Sequence, residues 1–176
     1  MQHRPIAFIG PMGSGKSRVA AQLAQRLERN CLDLDTEVEQ RARLSIAAIF
    51  ASAGEARFRE LECAALRDVL AETSAVIATG GGVVLAARNR DLLKQRATVV
   101  WLQADLPTRL ERMRDERAQR PLLHGDDVAA TLTKLDAMRT PLYRETADIA
   151  VDTSGLNVDE VVDQVVMMLQ QHEAAA

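Results

Sequence analysis

The chain has 176 residues, a length that suggests one domain with a sizeable core. Its net charge of −3 and its isoelectric point near 5.7 argue against a general role on nucleic-acid or membrane surfaces. No apolar run approaches membrane-spanning length, and the first predicted strand begins within a few residues of Met1, so neither a membrane anchor nor a signal peptide is expected.

The first predicted strand, Ile6–Ile9, leads into the most informative motif of the chain. Residues 10–17 read Gly-Pro-Met-Gly-Ser-Gly-Lys-Ser, which fits the pattern G-x-x-x-x-G-K-[ST] at every fixed position. Apolar residues at helical spacing follow over 19–27, so the motif joins a strand to a helix. In that setting backbone N–H groups and the helix N-terminus bind phosphate, Lys16 can reach the outer phosphates and the Ser17 hydroxyl can ligate Mg²⁺. This phosphate-binding loop predicts a nucleoside triphosphate site.

Predicted strands and helices alternate along the rest of the chain, which indicates an α/β fold with a mostly parallel sheet. The other strands are predicted at Cys31–Asp33, 75–78, 98–102 and 149–151. The helices are predicted at 36–43, 45–53, 55–72, 87–95, from Asp105 to about Arg114, and along an apolar stripe from 158 to 169. Because ligands of such sheets bind beyond the carboxyl ends of the strands, we expect the polar motifs at those ends to converge.

Asp33 and Asp35 follow the second strand at a spacing that puts both carboxylates on the same side. One can hold Mg²⁺ through its waters, and the other can accept a hydroxyl proton. The alternative is a strand-to-helix turn in which Asp35 caps the helix. A phosphate-binding loop needs an acidic partner for its metal, so the functional interpretation is favoured here.

Three consecutive glycines, Gly80, Gly81 and Gly82, follow the third strand and are called the glycine loop below. Ordering three flexible residues on folding costs backbone entropy, and the close approach of a ligand to the main chain would explain why the cost is accepted. The alternative is a plain tight turn, which needs fewer glycines. Arg59 and Glu62 lie three residues apart on a predicted helix and can meet on one face. Such pairs usually decorate a solvated surface, so this one is not informative by itself.

Residues 115–127 are charged, contain Pro121 and Gly125, and lack clear periodicity, which predicts a mobile loop. Arg120 in this loop can stabilise charge on a transferring phosphoryl group; the alternative is a solvated basic loop. Cys31 and Cys63 have no His cluster nearby, so they are expected to be small core residues in a reducing cytoplasm rather than metal ligands.

Taken together, these motifs resemble the shikimate kinase family. The resemblance covers nearly the whole chain and depends on the order of its motifs, which are the phosphate-binding loop, residues 33–36, residues 54–62, the glycine loop, residues 120–123 and residues 139–143. It implies a P-loop three-layer α/β/α domain over 1–176, with a five-stranded parallel sheet, a helical substrate-binding region at about 35–62 and a mobile lid at about 114–126. The implied reaction is transfer of the ATP γ-phosphate to the 3-hydroxyl of shikimate, in chorismate and aromatic amino-acid biosynthesis.

The resemblance also implies residue roles. Shikimate would be bound by Asp35, Arg59, Gly81, Gly82 and Arg139. ATP would be bound by Gly13, Ser14, Gly15, Lys16, Ser17 and Arg120. Ser17 and Asp33 would hold Mg²⁺, and Asp35, Lys16 and Arg120 would serve catalysis.

Three arginines, Arg112, Arg114 and Arg117, compete for the place against adenine, with Arg112 or Arg114 preferred. The expected protein is a cytoplasmic monomer that acts on small molecules, with no nucleic-acid or membrane partner. A related small-metabolite kinase, such as gluconate kinase, is the alternative.

Overall fold

The computed structural model describes residues 4–71, 74–114 and 127–175. Within them, five strands pair in parallel to form one sheet with the order β2-β3-β1-β4-β5. The strands are β1 Ile6–Ile9, β2 Cys31–Asp33, β3 Val76–Ala78, β4 Thr98–Gln103 and β5 Ile149–Asp152. The predicted five-stranded parallel sheet is therefore confirmed, with each strand within about one residue of its predicted ends.

Helices connect the strands and cover both faces of the sheet. They are α1 Lys16–Arg26, α2 Leu34–Ala42, α3 Ile46–Val69, α4 Ala87–Arg96, α5 Leu106–Arg112, α6 Val128–Thr146 and α7 Val158–Ala175, with a short 3-10 helix at Val83–Leu85. Gly54 lies inside α3 with φ 76° and ψ 176°, so the predicted division into two helices at this glycine is confirmed. Among the helices of the described residues, none is both long and apolar enough to cross a bilayer.

The core has two layers, one on each side of the sheet, because successive residues of a strand face opposite ways. Ala7 and Ile9 of β1 pack with residues of α2, α3, α4 and α6. Ile6 and Phe8 pack with α1 and α7 on the other side. Since β1 is buried on both faces, all four of its residues are apolar, as expected for a central parallel strand. The predicted three-layer α/β/α arrangement is confirmed.

Helix α6 was not predicted from the sequence. It begins at Val128 and continues through Pro141. Asp127 caps it, since its carboxylate accepts a hydrogen bond from the N–H of Ala130 at 2.8 Å. A proline inside a helix removes one backbone hydrogen bond and normally argues against helix. Packing offsets that cost, because the buried residues of α6 share one face at spacings of seven, four and three; they are Leu132, Arg139, Tyr143 and Thr146.

Asn157 and Glu160 form a capping box at the start of α7, since they exchange backbone-to-side-chain hydrogen bonds of 2.8 and 3.0 Å. The expectation that both cysteines lie in the core is wrong for Cys31, which is exposed at the start of β2, whereas Cys63 is buried. β2 is an edge strand of only three residues, so it leaves its first side chain in solvent.

The strand order places the functional motifs together. The chain runs from β1 to β2 and β3 on one side and only then crosses to β4 on the other side of β1. The loop after β1 therefore lies where the strand order reverses, which is where open α/β sheets bind ligands. Because all strands are parallel, Asp33 and the glycine loop also lie at this edge of the sheet.

Candidate active site

The phosphate-binding loop has a backbone that only glycine adopts easily. Gly10, Gly13 and Gly15 have φ angles of 143°, 80° and 92°. A Cβ at Gly10 would lie 2.3 Å from the carbonyl oxygen of Leu102 on β4, so the close passage of the loop against the next strand also requires glycine there. Gly15 is the N-cap of α1, and the helix N-terminus therefore opens directly into the loop.

Lys16 and Ser17 are the first two residues of α1, at the mouth of this loop. The Lys16 side chain is largely buried, and its Nζ donates a hydrogen bond to the carbonyl oxygen of Pro11 at 2.8 Å. The ammonium group is thus held over the phosphate-binding loop, where it would contact the phosphates. The Ser17 hydroxyl donates to Oδ2 of Asp33 at 3.0 Å, which brings together the two side chains predicted to hold a metal.

Asp33, not Asp35, caps helix α2, so the alternative interpretation of Asp35 as the cap is wrong. Oδ1 of Asp33 accepts hydrogen bonds from the N–H groups of Asp35 at 3.0 Å and of Thr36 at 3.3 Å. One Asp33 oxygen therefore starts the helix and the other faces Ser17. This cap fixes Asp35 in the first turn of α2, and the carboxylate of Asp35 takes no part in the capping.

The glycine loop is where three predicted substrate-binding side chains meet. A Cβ built on Gly80 would lie 2.9 Å from Oδ1 of Asp35, and one on Gly82 would lie 2.6 Å from Nη2 of Arg59. A Cβ on Gly81 would lie 3.5 Å from Nη1 of Arg139. A side chain at position 80 or 82 would therefore displace Asp35 or Arg59, whereas the distance at Gly81 is an ordinary contact; none of the three glycines has a positive φ.

Arg59 is held by two carboxylates. Its Nη1 donates to both oxygens of Glu62 at 3.1 and 2.9 Å, and its Nη2 donates to Glu55 at 3.1 Å. The Arg59 guanidinium also lies 5.0 Å from the centroid of the Phe58 ring. The Arg59–Glu62 pair differs from the solvated ion pairs that are common on helices, because its carboxylate is buried: Glu62 is 1% exposed.

Burial is the largest influence on Glu62 and raises the pKa of its carboxyl above the usual value, while the neighbouring Arg59 acts in the opposite direction. The Asp35 carboxylate adds to the rise, and the Arg139 guanidinium opposes it. The charges of Asp35, Arg59 and Arg139 therefore all act on the Glu62 carboxyl. The hydrogen bonds from Arg59 to Glu62 and Glu55 hold its guanidinium in place.

Arg139 and Arg112 come from two different helices, α6 and α5. Arg139 lies on α6 and is 9% exposed. Arg112 ends α5, and its guanidinium donates to the hydroxyl and carbonyl oxygens of Thr153 at 2.9 and 2.8 Å and to the carbonyl of Leu156 at 3.3 Å. Of the three arginines considered for the adenine contact, Arg112 is the one anchored beside the phosphate-binding loop; Arg114 is exposed, and Arg117 lies outside the described residues.

A cavity of about 490 Å³ contains both the phosphate-binding loop and Asp35. Its wall is formed by the loop after β1, the starts of α1 and α2, the end of β3, the end of α5, the loop after β5 and the start of α7. The lining residues with predicted roles are Gly13, Ser14, Gly15, Lys16, Ser17, Asp35, Gly81 and Arg112. Asp33, Gly82, Arg59 and Arg139 do not line the cavity. The guanidinium groups of Arg59 and Arg139 lie against Gly82 and Gly81 of the glycine loop beside it. Arg120 and all of the predicted lid except Arg114 lie outside the described residues.

Two residues with a place in this arrangement had no predicted role. Tyr143 donates a hydrogen bond from its hydroxyl to the carbonyl oxygen of Gly81, and Arg109 forms an ion pair with Asp136 behind the phosphate-binding loop. The signal for Tyr143 is its spacing, four residues after Arg139, which puts both on one face once a helix is assumed. No pattern in the sequence indicates the partner of Arg109.

A phosphate-cradling loop and a separate group of acidic and basic side chains open onto the same edge of a parallel sheet, and this defines the chain as a P-loop kinase of small molecules. A family model described as shikimate kinase matches residues 12–170. The chain belongs to the shikimate kinase family.

Individual relatives agree with that assignment. The chain is 43% identical to a shikimate kinase from Halorhodospira halophila, over 94% of this chain and 93% of that one. It is 40% identical to a shikimate kinase from Xanthomonas campestris, over 93% and 91% of the two chains. The solved structure of shikimate kinase from Acinetobacter baumannii in complex with shikimate superposes with a TM-score of 0.91 at 35% identity, over 96% of this chain and 94% of that one. A gluconokinase from Sinorhizobium meliloti, with a TM-score of 0.61 at 17% identity, shares the fold alone.

Proposed function

We propose that this protein transfers the γ-phosphate of ATP to the 3-hydroxyl of shikimate, a step of chorismate and aromatic amino-acid biosynthesis. The observation that carries the proposal is the convergence of Asp35, Arg59 and Arg139 on a glycine loop that shares a cavity with the phosphate-binding loop. A small acceptor with one carboxylate and several hydroxyls fits one acid and two arginines. The Acinetobacter baumannii relative, which was solved in complex with shikimate, supports the same acceptor.

The donor half of the site consists of Gly13, Ser14, Gly15, Lys16 and Ser17. The backbone N–H groups and the N-terminus of α1 bind the phosphates, and Lys16 turns from the Pro11 carbonyl towards the transferring group. Phosphoryl transfer depends on position and charge stabilisation, so the lysine contributes by balancing negative charge. Arg112, anchored to Thr153 and Leu156, provides a flat guanidinium for the adenine ring.

The Ser17 hydroxyl and the Asp33 carboxylate fit a Mg²⁺ ion that is held mainly by phosphates and water. Magnesium takes few protein ligands in such sites, and one hydroxyl with one carboxylate, 3.0 Å apart, is a suitable donor set. Among the residues that the structure describes, no cluster of three or more acidic, His or Cys side chains forms a separate metal cage. When bound, the ion would neutralise charge on the phosphate oxygens; Ser17 and Asp33 would hold it in place.

The acceptor half has two tasks. Arg59 and Arg139 bind the carboxylate of shikimate through charge-assisted hydrogen bonds, about 1.5–3 kcal/mol each. Asp35 accepts a hydrogen bond from the attacking hydroxyl and takes its proton as the oxygen bonds to the γ-phosphorus, while the bond from that phosphorus to the bridging oxygen breaks and ADP leaves. The Glu62 carboxylate holds Arg59 in the rotamer that reaches the acceptor.

The chain acts as a single domain and as a monomer in the cytoplasm. ATP is the phosphoryl donor. The two cysteines are unpaired thiols, one of them exposed, which suits a reducing compartment such as the cytoplasm. The region from 35 to 62 contributes Asp35 and Arg59 and is proposed as the substrate-binding region.

The acceptor proposal is tested by a coupled assay of ADP release with shikimate, gluconate and AMP as separate acceptors. Shikimate is expected to be turned over at least about 10²-fold faster than either of the others, because only it offers a ring hydroxyl to Asp35 while its carboxylate meets both arginines. The Lys16→Met variant, purified in the same way, controls for contaminating kinases. Faster turnover of gluconate or AMP than of shikimate would reject the proposal.

A further inference from the structure

Tyr143 is the buried aromatic residue that connects helix α6 to the glycine loop. It is 1% exposed, its ring packs 5.9 Å from the Trp101 ring, and its hydroxyl donates to the carbonyl oxygen of Gly81 at 2.5 Å. Of the hydrogen bonds formed within residues 4–71, 74–114 and 127–175, this is the one that the Gly81 carbonyl accepts, whereas the carbonyls of Gly80 and Gly82 accept from backbone N–H groups. The middle of the glycine loop is thus anchored by a side chain.

Tyr143 also faces Arg139, one helical turn earlier on α6. The charge of the Arg139 guanidinium acts on the phenol, and its Nη1 lies 3.5 Å from the position of a Cβ on Gly81. Both side chains are nine-tenths or more buried. The phenol is therefore hydrogen-bonded to the glycine loop and lies on the same helix face as one of the two proposed carboxylate-binding arginines.

The hydroxyl keeps its proton under all ordinary conditions. Burial is the main cause and raises the pKa of Tyr143 to about 12, with Asp136 acting in the same direction and Arg139 and Arg109 opposing it. The phenol consequently stays a donor to the Gly81 carbonyl. A group in that state can orient others, and it is unsuited to take or give a proton during the reaction.

We propose that Tyr143 is a positioning residue for the acceptor, which sets the distance between Gly81 and the Arg139 guanidinium. The inference rests on the proposed function, because it assigns Arg139 and the glycine loop to shikimate. It adds to the proposed site the Tyr143 hydroxyl, which acts through Gly81 and Arg139 without contacting the substrate itself. Without that hydroxyl, Gly81 loses its hydrogen-bond donor and Arg139 loses a polar neighbour, while the aromatic packing against Trp101 is kept.

The test compares Tyr143→Phe with Thr146→Val in kinetics with both substrates. Thr146 is the matched control, since it is 1% exposed on the same helix and its hydroxyl bonds within the helix to the Leu142 carbonyl at 2.6 Å. Tyr143→Phe is expected to raise the KM for shikimate about five- to tenfold and to leave the KM for ATP within about twofold. Thr146→Val is expected to leave both KM values unchanged.

Hydrogen exchange of residues 79–85, measured without substrate, separates this inference from the proposed function. Faster exchange in Tyr143→Phe than in the wild type and Thr146→Val would support the anchoring of the loop even if shikimate were not the acceptor. Equal exchange in all three proteins would overturn it, as would equal increases in the KM for ATP and for shikimate. Failure of the wild-type enzyme to phosphorylate shikimate would instead reject the proposed function.

Discussion

Replacing Asp35 with alanine is expected to lower the turnover number with shikimate by about 10²-fold or more, since the attacking hydroxyl would lose the group that orients it and accepts its proton. ATP binding should change little, because Asp35 belongs to the acceptor half of the cavity. The fold should also be retained: the cap of α2 uses the Asp33 side chain and only the backbone N–H of Asp35. Steady-state kinetics and calorimetric titration with ATP measure the two effects.

Two further variants show whether the loss of activity in Asp35→Ala comes from the role assigned to this carboxylate. Asp35→Asn keeps a hydrogen-bond acceptor but cannot take a proton; activity near that of wild type would mean that Asp35 orients the hydroxyl without acting as a base. Asp91→Asn removes an exposed carboxylate on α4 and should have wild-type kinetics. An equal loss of ATP affinity and turnover in Asp35→Ala would contradict the assignment of Asp35 to the acceptor.

Replacing Lys16 with methionine is expected to lower kcat/KM for ATP by about 10²–10³-fold, the range seen when one preorganised charge-stabilising donor is removed from an active site. Methionine keeps most of the length of the side chain, so the effect reports the lost charge rather than lost packing. The Lys16 ammonium bonds to the Pro11 carbonyl, and the positive φ angles of Gly10, Gly13 and Gly15 shape the loop backbone around it. Kinetics with varied ATP at saturating shikimate measure the change.

Lys134→Met is the matched control for Lys16, because Lys134 is exposed on α6. It should behave as the wild type in the same assay, and shikimate binding should be retained in both variants. If Lys16→Met kept its activity within about tenfold of wild type, the lysine would not carry the charge stabilisation assigned to it.

The sheet and its phosphate-binding loop were predictable because their signals are local. Short apolar runs bounded by turn residues marked every strand, and the spacing of Gly10, Gly15 and Lys16 follows from the geometry of phosphate binding. Helix α6 was not predictable in the same way, since Pro141 interrupts its pattern and the compensating contacts come from residues distant in sequence.

The site was predicted as a set of residues but not as an arrangement. Asp33 and Asp35 were recognised together as candidates. Because either aspartate can cap a helix, the residue that caps α2 depends on where the backbone turns, which the sequence does not show. The glycine loop was expected to admit a ligand, and its closest neighbours proved to be Asp35 and Arg59. The burial of Glu62 depends on the packing of α3 and has no sequence signal that separates it from a surface pair.

Identification of the product by proton–phosphorus correlation NMR tests the central claim most directly. ADP release alone would also be produced by ATP hydrolysis, whereas the spectrum shows which oxygen carries the transferred phosphate. Shikimate incubated with ATP, Mg²⁺ and this enzyme is expected to give a single organic phosphate coupled to the proton at carbon 3. Inorganic phosphate beside unmodified shikimate, or phosphate on another hydroxyl, would contradict the account.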